Sequence, residues 1–241
     1  MKVTIIHGQS HKGSTYHISK ILADKIGGEV KEFFLPRDFG EFCIGCTQCF
    51  RKSETLCPHY EKINPLTEAL DEADVLIFES PVYVYHVTGS MKAFLDHYGY
   101  RWMLHRPEES MFHKQAVCIS TAAGAGMKST NKDMADSFFY WGVPKVYKYG
   151  VRVMATSYKD IKPKIKAKIE KDTKLSELTK KKQSIVEKMG KANLAKVTIE
   201  KIIYPGNVIT INGVKAVVTE EEKHVEYARR GAGIIVYKIG E

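Results

Sequence analysis

Cys43, Cys46, Cys49 and Cys57 place four thiols within fifteen residues, and the fifth cysteine, Cys118, lies far from them. In Cys43-Ile44-Gly45-Cys46-Thr47-Gln48-Cys49 two residues separate each thiol from the next, and Cys57-Pro58 follows eight positions on. Three thiolates at this spacing can wrap one face of an iron–sulfur cubane while a fourth, followed by proline, closes the site, as in ferredoxin-type loops. The set reads first as ligands of a [4Fe–4S] cluster. Zinc is a second reading, although structural zinc usually takes two separated pairs. Free or redox-active thiols are the third. A disulfide framework would suit a short secreted chain, not one of 241 residues. Cys118, inside the apolar run Gln115 to Thr121, reads as packing.

A second chemistry is written near the N-terminus. The β-favouring residues Val3-Thr4-Ile5-Ile6 run into the polar loop His7-Gly8-Gln9-Ser10-His11-Lys12-Gly13-Ser14-Thr15-Tyr16, and a helical pattern (Ile18, Ile21, Leu22, Ile26) begins where the loop ends. Amides without intrahelical partners at a helix start, aided by the helix dipole, favour an anion there. Gly8 and Gly13 let backbone approach it, Ser10, Ser14, Thr15 and Tyr16 offer hydroxyls, and His11 and Lys12 offer donors. No Gly-Lys-Ser/Thr closes the loop and no Gly-x-Gly-x-x-Gly occurs in it, so neither an ATPase nor a dinucleotide fingerprint is supported. A turn that needs no ligand is the plain alternative.

The elements that must hold these loops alternate. After the first helix, ending at Gly27-Gly28, a short run from Val30 to Leu35 stops at Pro36 and reads as a strand. The cysteine loop follows, with Pro36 and Gly40 expected to direct it outward over the strand ends. An amphipathic segment spans about Tyr60 to Ala73. Asp74 to Glu79 is a nearly continuous apolar run bounded by polar residues, of the kind buried on both faces of a parallel sheet. A helix from about Ser90, a strand from Gln115 to Thr121, a helix from about Asn131 to Trp141 and a strand from Lys145 to Met154 complete the series. Five such alternations predict an α/β fold, a doubly wound five-stranded parallel sheet. Its ligands belong beyond the carboxyl ends of the strands, where the loops Gly8 to Tyr16, Pro81 to Gly89 and Thr121 to Gly126 all fall.

A lysine-rich helix is expected from about Asp160 to Lys188, and β texture beyond Gly190, with Asn212-Gly213 as a hairpin turn. The expected organisation is a main domain over 1–158, the long helix over 159–189, and a small β-rich C-terminal extension over 190–241. Net charge is +9, concentrated between Lys159 and Lys201 in a stretch free of aromatic residues. Nucleic-acid binding would interleave aromatics with the basic residues, so the charge reads as a solvated helix face. No signal-like N-terminal run and no stretch of about eighteen apolar residues is present. The expectation is a cytoplasmic protein that binds neither nucleic acid nor membrane.

Taken together, the first loop, Ser80-Pro81-Val82-Tyr83 followed by Gly89-Ser90-Met91-Lys92-Ala93-Phe94-Leu95-Asp96, and the loop Thr121 to Gly126 resemble the NADPH-dependent FMN reductase family of flavodoxin-like proteins. That family's first loop usually reads Gly-Ser-Pro-Arg-Lys-Gly-Ser-Asn-Thr, which Gly8, Lys12, Gly13 and Ser14 match. Gln9, Ser10, His11, Thr15 and Tyr16 depart from it but keep hydrogen-bonding capacity, while the family's arginine is lost. The family's Asp-Arg is Asp96-His97 here, and the resemblance covers residues 1 to 155. The cysteine loop resembles that of the iron–sulfur flavoproteins, a branch with the same C-x2-C-x2-C core.

The resemblance implies that Gln9 to Tyr16 hold the FMN phosphate, and that Pro81, Val82, Tyr83 and Val84, with Thr121, Ala122, Ala123, Gly124 and Gly126, bracket the isoalloxazine ring. It also implies NAD(P)H as hydride donor, a small-molecule acceptor such as a quinone or flavin, and a homodimer or tetramer. Ordinary strand-end packing is the competing account of Tyr83 and Tyr85, and an i,i+4 helix pair that of Lys92 and Asp96. A non-enzymatic electron carrier is the alternative function, with FMN or a cluster shuttling single electrons between proteins.

Overall fold

A computed structural model describes residues 1–104, 108–172, 208–211, 214–217, 225–227 and 235–237. The chain forms two compact units, Met1–Lys174 and Leu175–Glu241. The first is built on a five-stranded sheet of β1 (Lys2–His7), β2 (Glu29–Phe34), β3 (Val75–Pro81), β4 (Gln115–Ala122) and β5 (Lys145–Arg152) in the order β2-β1-β3-β4-β5. Every pairing is parallel. The order reverses between β1 and β3, and such a switch point leaves a crevice beyond the strand ends.

The apolar runs account for the layers. Side chains alternate across a strand, so Ile6, Leu76, Phe78, Ala116 and Cys118 share one face. They pack there with Leu66 and Leu70 of α3 (Tyr60–Glu72), Met91 and Phe94 of α4 (Gly89–Asp96), and Met134 and Phe138 of α6 (Met127–Tyr140). Phe78 is the hub, its ring centroid 4.3 Å from that of Phe138 and 5.9 Å from those of Phe94 and Trp141. The alternate positions Ile5, Ile77, Val117 and Ile119 are buried on the other face. There α1 (Ser14–Ile26) packs on β1, β3 and β4, contributing Ile18, Leu22 and Ala23. Each fully buried Ile, Leu or Phe contributes about 1.5–3 kcal/mol. Two short helices, α2 (Gln48–Arg51) and α5 (Gly99–Met103), and α7 (Pro163–Asp172) complete this unit.

The described part of the second unit comprises two antiparallel pairs, β6 (Val208–Ile211) with β7 (Val214–Val217), and β8 (Val225–Tyr227) with β9 (Ile235–Tyr237). The register sets Ile211 opposite Val214, in keeping with the expected hairpin. Of the expected long helix, residues 160–172 fall among the described residues, and Pro163–Asp172 of them are helical; residues 173–188, and the β texture expected over 190–207, lie outside them.

Candidate functional site

All three loops singled out in the sequence arrive at the carboxyl edge of the sheet, and side chains join them there. Gly8 ends β1 so close to β3 that a Cβ would lie 2.8 Å from the Glu79 carbonyl, which its amide already bonds at 2.7 Å. Only glycine fits that approach. Gly13 occupies the N-cap of α1, where no side chain caps the helix and no acid stands in the first turn, so the first-turn amides keep the anion-favouring end of the helix free of negative charge. The Lys12 ammonium sits 5.3 Å over both the Tyr16 and Phe34 rings, and His11 is exposed beside it.

The loop hydroxyls are spent differently from the sequence expectation. Ser14 Oγ donates to the Ala155 carbonyl at 2.7 Å and Ser10 Oγ to the Leu35 carbonyl at 3.3 Å. Thr15 Oγ1 meets Thr121 Oγ1 at 2.7 Å, stitching the first loop to the third. With Ser10, Ser14 and Thr15 so engaged, the first-turn amides and the side chains of His11, Lys12 and Tyr16 are the donors that could meet an anion.

The second loop forms a tight turn. Tyr83 and His86 exchange two backbone hydrogen bonds of 2.9 and 3.0 Å, and the residues between them, Val84 and Tyr85, hold φ of 48° and 67°. A β-branched residue in the left-handed region is an outlier, and each such residue costs about 1–3 kcal/mol. Strain of this kind persists only where surrounding contacts fix it. The turn carries apolar side chains into solvent, with Tyr83 53% exposed, Val84 90% and Tyr85 62%. Tyr83 Oη donates to Gln9 Oε1 at 3.0 Å, joining the second loop to the first. Gly126, with φ of 98°, lies against it, and a Cβ there would be 2.6 Å from Val82 Cγ1. Pro81 ends β3 and Val82 follows it, its amide donating to the Thr121 carbonyl at 2.9 Å, while Ala122 ends β4 and the Ala123 carbonyl accepts from Arg152 Nε at 2.9 Å. Ala123 and Gly124 are exposed.

Beneath the first loop lies a group that pattern reading missed. His7 is fully buried, with Nδ1 2.9 Å from Glu79 Oε1 and Nε2 3.0 Å from Glu32 Oε2, while Lys20 Nζ donates to Glu32 Oε1 at 2.7 Å. Burial pushes the Glu79 carboxyl above its ordinary range despite His7. Burial acts the same way on Glu32, but the bonds from Lys20 and His7 outweigh it and hold that carboxyl low. His7 also stacks on Phe34 at 4.3 Å, extending the aromatic platform under Lys12. The only sequence signal was two polar residues at the ends of otherwise apolar strands.

The cysteine loop is anchored by two aromatic side chains. Phe39, fully buried, stands edge-on to His97 at 4.9 Å, and the Phe50 ring fills the space beside Gly99. These anchors draw Cys49 and Cys57 along the flank of α3 and α5, where they line a cavity of about 220 Å³ with Asp71, His97 and Arg101. Cys43 and Cys46 are exposed, Cys49 and Cys57 half-buried. Burial, then the neighbouring Cys57, Cys43 and Cys46 thiols, push the Cys49 thiol up. The donor set is that of a cluster, yet among the described residues no three Cys, His, Asp or Glu groups are drawn together as a metal would need. Cys118 is buried and its thiol pushed up to about 12 by burial, as an inert packing residue should be.

A parallel sheet of order 2-1-3-4-5 with three interlocked loops at the carboxyl edge of its switch point defines a flavodoxin-like protein. The chain belongs to the NADPH-dependent FMN reductase family, whose profile matches residues 1–157. Among characterised relatives, an iron–sulfur flavoprotein of Archaeoglobus fulgidus is 35% identical over 78 residues, 31% of this chain and 34% of that protein. An iron–sulfur flavoprotein of Clostridioides difficile is 27% identical over 131 residues, 52% of this chain and 56% of that protein. The chain thus spans from about a third to just over half of the length of these relatives. Among solved structures, a flavone reductase superposes with a TM-score of 0.53 at 15% identity, over 92% of this chain and 82% of that one, a likeness of fold alone.

Proposed function

We propose that the protein is an FMN-dependent oxidoreductase that takes a hydride from NAD(P)H and passes the electrons to a small-molecule acceptor. The observation that carries this reading is the pair of links Thr15–Thr121 and Tyr83–Gln9, which gather the three loops into one site beside the uncapped start of α1. When bound, FMN supplies a flavin N5 that accepts hydride and returns electrons singly or in pairs. The residues present suit its two ends. The first-turn amides of α1, Gly13 and Lys12 would hold the phosphate dianion, with Gln9, Ser10, His11, Ser14, Thr15 and Tyr16 as walls. Pro81, Val82, Tyr83 and Val84, with Thr121, Ala122, Ala123, Gly124 and Gly126, would present close, uncharged backbone and apolar surface to the ring. This reading takes NADH or NADPH as the hydride donor.

Two measurements test it. The purified protein should show the two visible bands of oxidised flavin and should oxidise NAD(P)H when a quinone or dye is supplied. Ser14→Glu, which sets a like charge against the phosphate at the helix start, should abolish FMN binding while riboflavin, which lacks the phosphate, binds as before. Full FMN occupancy in that variant would overturn the phosphate assignment. An electron carrier would instead exchange electrons rapidly with ferredoxin and leave NAD(P)H untouched.

A second reading, favoured by the spacing of Cys43, Cys46, Cys49 and Cys57 and by the iron–sulfur flavoproteins among the relatives, adds a [4Fe–4S] cluster on those four residues. Iron and acid-labile sulfide near four per chain in anaerobically purified protein would support it. A homodimer or tetramer and a cytoplasmic location, where such thiols stay reduced, complete the proposal.

A further inference from the structure

The strained Tyr83–His86 turn is held from outside by α6. Asp133, one turn and a half into that helix, directs Oδ2 at two donors on the turn's trailing limb, His86 Nδ1 at 3.1 Å and the Val87 backbone amide at 3.3 Å. One helical turn earlier, Ser129 Oγ donates to the Tyr85 carbonyl and lies 2.9 Å from the Gly126 carbonyl. The leading limb is tied differently, through Tyr83 Oη to Gln9 in the first loop. On the far side the chain is fixed by Thr88, whose Oγ1 donates to the Gly8 carbonyl at 2.5 Å and whose amide donates to Ser80 Oγ at 3.0 Å.

We propose that Asp133 is a positioning residue of the flavin site, clamping the Tyr83–His86 turn through His86 and Val87 so that Tyr83 and Val84 stand where the isoalloxazine ring binds. The inference rests on the functional reading above and extends it to a residue of α6 that lies outside all three loops. Two left-handed residues side by side, one of them β-branched, relax to ordinary backbone when their tethers are cut. An acceptor that takes a backbone amide and an imidazole together is the tether best placed to prevent this, because it holds both the backbone and the side chain of one limb. The same carboxylate lies on the helix that starts at Gly126, so it also fixes the second loop relative to the third. The turn is thereby built before the ring arrives, and no binding energy is spent ordering it.

The test uses the full chain and two independent readouts. The first is limited chymotrypsin digestion of flavin-free protein, scored by mass for cleavage after Tyr85. The second is titration of the same protein with FMN and with riboflavin. Asp133→Ala should be cleaved several-fold faster at Tyr85 and should bind FMN and riboflavin each about ten-fold more weakly, since the loss lies at the ring end shared by both ligands. Asp133→Asn, which keeps an acceptor oxygen in place, should behave like the unmodified chain in both assays. Where Asp133→Ala fails to fold, His86→Phe removes the side-chain half of the clamp and carries the same comparison. Unchanged cleavage, unchanged flavin affinity, weakening of FMN alone, or an Asn variant as impaired as the Ala variant would each overturn the inference. A wild-type chain that binds no flavin at all overturns the functional reading and the flavin role of Asp133 with it, and the cleavage rate then decides whether the clamp itself exists.

Discussion

Asp38 illustrates how much one side chain can fasten just below the site. Its Oδ2 accepts from the Phe34 amide at 2.7 Å and its own amide donates to the Phe34 carbonyl at 2.8 Å, closing the turn through which β2 leaves the sheet. Arg37 pairs with both carboxylate oxygens, at 2.8 and 3.0 Å, and this bond, ahead of the opposing effect of burial, holds the Asp38 carboxyl below its ordinary value of 3.8. A carboxyl depressed in the folded state adds stability that is fully present above the unfolded value and is lost as pH falls through the folded one. Asp38→Asn should therefore lower the urea midpoint at pH 7, and the gap from wild type should close as pH drops below about 3.8. A gap that stays constant down to pH 2 would show that shape, not charge, accounts for the residue.

At the scale of elements, buried ion pairs fix helices that hydrophobic pattern alone would leave free to slide. Arg101 of α5 is 2% exposed and reaches both oxygens of Asp71 on α3, at 2.7 and 2.8 Å, with Tyr98 and Trp141 beneath its guanidinium at 5.2 and 5.9 Å. Burial pushes the Asp71 carboxyl up even though Arg101 pulls it down, so the pair is stable only while both partners are present. Lys114 closes the end of α3, donating to the Asp71 and Ala73 carbonyls at 2.7 and 2.6 Å, where the helix dipole favours a cation. Arg101→Met should cost about 3–5 kcal/mol by stranding Asp71, whereas the double variant Arg101→Met, Asp71→Leu should recover most of that loss. Chemical denaturation of the four proteins of the cycle measures the coupling, and additivity of the two single losses would contradict it.

At the scale of the whole molecule, exposed aromatic side chains bear on assembly. Trp102 and Tyr140 stack at 4.4 Å on the surface, with Phe139 5.4 Å from Tyr140 and Met103 56% exposed, and these side chains cluster at the ends of α5 and α6. A patch of this composition is of the kind that a partner covers. The proposed homo-oligomer should give the mass of a dimer or tetramer by light scattering at micromolar concentration, and Trp102→Glu together with Tyr140→Glu should shift it toward monomer. Monomeric wild type would count against the assembly. Among the described residues no helix is long and apolar enough to cross a membrane.

The order of the five strands with α1, α3, α4 and α6, and the three loops at one edge, were legible in the sequence, because a parallel sheet buried on both faces writes itself as continuous apolar runs that end in glycine-rich turns; the short helices α2 and α5 were not. Gly8 and Gly13 were readable as close approaches for the same local reason. The cysteine spacing disclosed a donor set but not its placement: Phe39 and Phe50 decide that, and an aromatic residue in a loop does not reveal which distant helix it will pack on. His7 with Glu79, Arg101 with Asp71, and Asp133 with His86 are separated by 72, 30 and 47 positions. Polar pairs of this kind carry no periodic signal, so only the tertiary structure, by excluding water around them, decides that they meet and that each must find a partner.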